Sequence, residues 1–99
     1  MPDYYLIRCT IERGGFTSER TFEILLADGG KLVGISNVGH LYDENGKLLS
    51  DEEPPFGETI TGFVKCRKIR DRVGNTALVE VPSADLINVP EEELLEIGQ

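Results

Sequence analysis

From Tyr4 to Glu12 apolar and polar positions alternate, with Tyr5, Ile7, Cys9 and Ile11 in one phase and Tyr4, Leu6, Arg8, Thr10 and Glu12 in the other. Successive side chains of a strand point to opposite faces, so this pattern predicts a strand whose first set faces the core. "RGG", Arg13 to Gly15, then offers two residues free to take positive φ, and "RTFEILLA", Arg20 to Ala27, completes a hairpin. "DGG", Asp28 to Gly30, turns the chain into a third strand, Lys31 to Ser36, where Gly34 predicts a bulge or a close backbone approach. "HLYDENGKLLS" centres on Asn45-Gly46, a pair able to fill both positive-φ positions of a type I′ turn. His40 to Tyr42 and Lys47 to Leu49 are therefore expected to pair.

"SDEEPPFGE", Ser50 to Glu58, suits neither a strand nor a helix interior and reads as the one long loop. "TITGFVKCRKIR", Thr59 to Arg70, is the longest strand candidate, with Ile60, Val64 and Cys66 out of phase with Phe63 and Ile69. A strand apolar on both faces at different points is expected to bend between two layers. "DRVGN" turns into Thr76 to Pro82, where Ala77, Val79 and Val81 face the core, and "PSAD" turns again into "LINV". Pro90 followed by Glu91, Glu92 and Glu93 predicts one short C-terminal helix, because Pro fits the first helical position and the helix dipole favours acids in the first turn. No internal repeat or low-complexity tract is visible in the sequence.

These elements define an all-β chain, a small antiparallel barrel or roll with one short C-terminal helix. A bent long strand, a tight hairpin, a last short strand and a helical turn resemble the closing half of an SH3-like barrel, over roughly the last forty residues. The resemblance implies a small barrel of the kind used for binding.

At 99 residues and 11.0 kDa the chain makes one domain, residues 1–99. A domain of this size buries about two-thirds of the surface its unfolded chain exposes, so self-association would supplement its core. The net charge of -8 argues against general binding of phosphate backbones or anionic membranes, since both depend on positive charge. No apolar run approaches the roughly 18 residues that span a bilayer, and the first residues lack the basic-then-apolar order of a signal peptide. The expectation is a soluble cytoplasmic protein without membrane association. Cys9 and Cys66 then read as reduced, unpaired, buried residues.

Catalysis needs a nucleophile or acid/base with a partner that orients it. His40 is the single histidine; a pairing with Cys9 or Cys66 is sterically conceivable but has no local signature, so no catalytic residue is assigned. A structural zinc site wants four Cys or His in paired short spacings, and "YDENG" lacks the order of a calcium loop. "RGGF", "DGGK" and "NVGH" do not open helices, as a phosphate cradle would. No metal or cofactor is expected.

The remaining candidate is the basic run, in which Lys65, Arg67, Lys68, Arg70 and Arg72 lie within eight positions beside Phe63. Alternation places Lys65 and Arg67 on one face with Phe63, and Lys68, Arg70 and Arg72 on the other. A bulge near Arg67 and Lys68 would gather Lys68, Arg70 and Arg72 into one stripe. Charge runs commonly keep a strand soluble or protect a sheet edge. As a site, the run fits a non-enzymatic module that binds an acidic protein segment, or a second copy of the chain through the acids of Asp43 to Glu58. Single-stranded RNA is the alternative, because small barrels couple basic grooves to stacking aromatics.

Overall fold

The computed structural model describes residues 4–13, 18–72 and 74–96, with the side chains of Asp71 and Arg72 outside that description. In chain order the elements are β1 (Tyr4–Arg13), β2 (Glu19–Leu25), β3 (Lys31–Asn37), a 3₁₀ turn (Val38–His40), β4 (Leu41–Asp43), β5 (Thr59–Arg72), β6 (Thr76–Glu80), β7 (Leu86–Pro90), a second 3₁₀ turn (Glu91–Glu93) and β8 (Leu94–Glu96). They form one antiparallel sheet in the order β3-β2-β1-β5-β6-β7, curled into a half-barrel, with β4 added to β5 and β8 added to β1.

The inner face of the curl carries the core. Ile7, Cys9, Ile11, Ala77, Val79 and Val81 are buried there, and Tyr5 packs against them half-buried, as alternation predicts. Gly34 makes the close approach rather than the bulge. The β2–β3 register runs through it unbroken, and a Cβ there would lie 2.7 Å from the Phe22 ring. β1 and β2 pair as a hairpin through Arg13↔Arg20; Gly14 and Gly15 of the expected turn lie outside the described residues.

Two local expectations are corrected. The short C-terminal helix is only the 3₁₀ turn Glu91–Glu93, after which β8 pairs with β1 through Leu94↔Ile7. The unpaired edge of β1 offers Leu94–Glu96 strand partners, and a helix there would forgo them. At Asn45-Gly46 only Gly46 has positive φ. The Asp43 carboxylate accepts the N–H groups of Asn45 and Lys47 at 2.8 and 2.9 Å, and the Asp43 carbonyl accepts the Gly46 N–H at 2.9 Å. The turn thus starts at Asp43 and closes with a glycine bulge instead of a type I′ pair. Tyr42 and Leu48 still bridge across it.

A repeat that the sequence hides is plain in the registers. β1-β2-β3-3₁₀-β4 and β5-β6-β7-3₁₀-β8 are two copies of one unit. Thr10↔Glu23 and Ile11↔Phe22 correspond to Arg67↔Glu80 and Lys68↔Val79, at a constant offset. Glu23↔Val33 and Phe22↔Gly34 correspond to Glu80↔Leu86 and Val79↔Ile87. The closing contacts match as well: Leu41↔Val64 joins β4 to β5, and Leu94↔Ile7 joins β8 to β1. The long β1–β5 pairing is symmetric about Ile7↔Val64, with Tyr5↔Cys66 on one side answered by Cys9↔Gly62 on the other. An approximate two-fold axis therefore passes through that pair. Each unit lends its last strand to the long strand of the other.

A candidate groove at the split edge of β5

β5 carries a bulge where the sequence places the basic run. Lys68 pairs with Val79 and Arg70 with Leu78, so Ile69 is the extra residue. Before the bulge Lys65 and Arg67 stand on the outer face opposite Leu6 and Tyr4, while Val64 and Cys66 are buried inside. Past the extra residue the phase inverts, and Arg70 is exposed on the same outer face. Lys65, Arg67 and Arg70 thus form the stripe, a correction to the expected grouping of Lys68, Arg70 and Arg72. Lys68 turns to the other face, half-buried, with Nζ 5.5 Å from the Tyr5 ring centre and 3.4 Å from Glu91. The Arg72 side chain lies outside the described residues. Phe63 is buried on the outer face beneath the Arg8 guanidinium, 5.1 Å from its ring centre, and offers no stacking surface.

Beside the stripe the sheet splits. β4 pairs with β5 as far as Val64 and β6 starts at Arg67, which leaves the β5 edge at Lys65 and Cys66 without a strand partner among the described residues. Backbone polar groups of a strand point to alternate edges, so one of these two residues aims its N–H and C=O into the gap. The gap is a groove of about 370 Å³ lined by Tyr4, His40, Lys65, Arg67, Glu80 and Pro82, among others. Tyr4 and His40 come from the first unit and the other four from the second. The Lys65 ammonium lies 4.6 Å from the Tyr4 ring centre, and Arg67 pairs with Glu80 at 3.2 Å. His40 ends the first 3₁₀ turn, which Asn37 caps by accepting the Gly39 N–H at 2.8 Å. Basic charge, an aromatic edge and a backbone donor–acceptor pair therefore converge on one cleft.

The two-fold axis relates this groove to another. β8 pairs with β1 as far as Ile7 and β2 starts at Thr10, leaving Arg8 and Cys9 at a gap of about 450 Å³. Arg8 replaces Lys65 there and Glu23 replaces Glu80, but Glu93 stands for His40 and Thr61 for Tyr4. The same cleft recurs with its charge turned acidic. A larger depression of about 620 Å³ lies between the β2–β3 turn and β7, and Asp28 is the single ionisable residue among its described lining.

His40 and Cys66 line one groove, the pairing that a catalytic reading would need. Chemistry opposes it. Cys66 is 2% exposed, and burial pushes its thiol from 9.0 up to about 12, as it does for Cys9. A thiolate is the nucleophile, so both cysteines are inert near neutrality. Both thiols are free. Because the folded state holds these protons more tightly than the unfolded chain, the associated stability is complete below about pH 9 and is lost as pH rises toward 12. Urea midpoints should fall through that window, and a thiol-blocking reagent should label neither cysteine at pH 7 until the protein unfolds. Rapid labelling of the native protein would show that the thiols are accessible. Among the described residues no group of three His, Cys, Asp or Glu could hold a metal ion.

Sequence reasoning missed a second feature, the clamp on the acidic loop. Arg20 is fully buried and donates from Nε to the Glu53 carbonyl at 2.8 Å, and from Nη2 to that of Asp51 at 2.9 Å. Arg13, its register partner, donates to the carbonyls of Asp51 and Pro54 and lies 4.3 Å from the Phe56 ring centre. The signal was present: Arg20 is in phase with Phe22 and Ile24, so alternation alone points it inward.

Fold and groove define a small antiparallel β domain with a basic, aromatic-edged cleft between two repeated units. No family model matches the chain, nor does any curated protein or solved structure. No helix among the described residues is long and apolar enough to cross a membrane.

Proposed function

We propose that the protein is a non-enzymatic interaction module of the cytoplasm that binds an acidic protein segment along the outer face of β5. The observation that carries this reading is the convergence of Lys65, Arg67 and Arg70 on one face beside the split edge of β5. An extended acidic segment would meet backbone polar groups in the groove and cations along the stripe, the combination used in strand addition. The order β6, β7, 3₁₀ turn, β8 also agrees with the end of an SH3-like barrel and supports that placement of the second unit.

Titration of fluorescein-labelled hexaglutamate at low salt tests the proposal. The variant carrying Lys65→Glu and Arg70→Glu should bind at least tenfold more weakly, while its stability falls by less than about 1 kcal/mol, because Arg70 is exposed and the half-buried Lys65 makes a surface cation–π contact with the exposed Tyr4. Undiminished binding by that variant would remove β5 as the site. Single-stranded RNA is the second reading, favoured by the exposed Tyr4 beside Lys65. Oligouridylate binding that weakens steeply with salt and is lost in the same variant would promote it. The net charge of -8 favours the protein segment.

A further inference from the structure

We infer that the chain is a fused dimer of one β-β-β-3₁₀-β unit, and that its units can exchange with those of a second copy to give a two-fold dimer with two basic grooves. Among the described residues three strand pairings join the units, β1 with β5, β4 with β5 and β8 with β1, and the Ala27 N–H donates to the Asn88 carbonyl across them at 3.0 Å. The described covalent connection between the units is the segment 44–58, which runs from the end of β4 to the start of β5. Every joining contact can therefore form equally well between the first unit of one copy and the second unit of another. The exchanged dimer keeps the same strand pairs, and only segment 44–58, which carries the buried Leu49 and Pro54, takes a different path.

The partner that replaces each unit's own mate in the exchanged form is thus a second copy of this chain. In the monomer the two units stay together because segment 44–58 holds them at high effective concentration, helped by the grip of Arg13 and Arg20 on Asp51, Glu53 and Pro54. Refolding at high protein concentration competes with that tether. The consequence reaches the groove itself. Tyr4 and His40 belong to one unit and Lys65, Arg67 and Glu80 to the other, so each groove of the exchanged dimer is completed by both chains. Two grooves on one particle would bind a repeated ligand with avidity, whatever the groove's ligand is.

Cross-linking of the 99-residue chain decides the matter. Thr10 and Thr61 are exposed register partners on β1 and β5, close enough for a disulfide once both are cysteine. The inert buried Cys9 and Cys66 do not compete. A chain with Thr10→Cys and a size-tagged chain with Thr61→Cys are unfolded together, refolded at high concentration and oxidised. The expected product is the mixed covalent dimer, at least tenfold above either like-with-like dimer, with the circular dichroism of the native protein. Monomer alone, or the three dimers in the one-to-two-to-one proportion of random collision, would overturn the inference. A single chain carrying both substitutions should cross-link within itself on dilute refolding. Failure to do so would overturn the β1–β5 register on which exchange depends.

Discussion

Gly62→Ala is expected to lower the unfolding free energy by about 3 kcal/mol, at the upper end of the cost of overpacking a core. Gly62 is held on both edges, opposite Cys9 of β1 and Asp43 of β4. A Cβ at this position would run into the backbone carbonyl of Tyr42 and come within 2.9 Å of Ile11 Cδ1. Flexible side chains can rotate away from such a clash, but a paired backbone cannot move without losing its strand. β4 would have to leave β5. Because His40 directly precedes β4, the groove should open with it, so hexaglutamate affinity and the urea midpoint should fall together. A midpoint within about 0.5 kcal/mol of the parent would show that β4 has room to shift.

Arg20→Met should cost a similar amount, about 3 kcal/mol, for a different reason. Methionine fills part of the volume but donates no hydrogen bond, so the carbonyls of Asp51 and Glu53 lose their buried donor, as does that of Glu19 at 2.9 Å. Burial and the adjacent Arg13 lower the pKa of Arg20, opposed by Asp51, and the group stays cationic at neutral pH. Its donors reach the carbonyls of Asp51 and Glu53, which ties the loop to β2. The variant should show faster amide hydrogen exchange across residues 50–58 as well as a lower urea midpoint. Unchanged exchange in the loop would mean that Pro54 and Leu49, both buried, hold it without the arginine. Arg20→Lys should recover only part of the loss, since one ammonium cannot span acceptors placed for a planar fork.

Much of the fold was legible along the chain because alternation is a local property. Tyr5 to Ile11 and Ala77 to Val81 show their core phase without reference to anything distant. Gly34 announced a close approach, and the loop at Ser50 to Glu58 announced itself by its prolines. The misreadings arose where local chemistry pointed one way and a distant partner the other. Pro90 and three glutamates begin a helix by every local signal, yet Leu94 finds Ile7 across the sheet. Asn45-Gly46 suits a type I′ turn, yet the Asp43 carboxylate captures the amides first. The stripe on β5 depended on which residue bulges, and that is set by the register against β6.

The sequence by itself determined the class of protein: an all-β chain, one inner face of alternating apolar residues, a proline-rich loop and a concentration of cations on one long strand. Periodicity says which way a side chain points relative to its own strand, and nothing more is needed for those conclusions. Only the tertiary structure decided the rest. The repeat is carried by pairing registers, with identity kept at positions such as Cys9 and Cys66, Glu23 and Glu80, and Leu41 and Leu94. Core packing demands apolar volume and tolerates different residues, so equivalent positions can carry different residues while their pairing partners correspond. The groove exists because β4 stops short of β6 along β5, and His40 and Tyr4 reach it from the other unit. Neighbours of that kind are set by strand order, which no local pattern encodes.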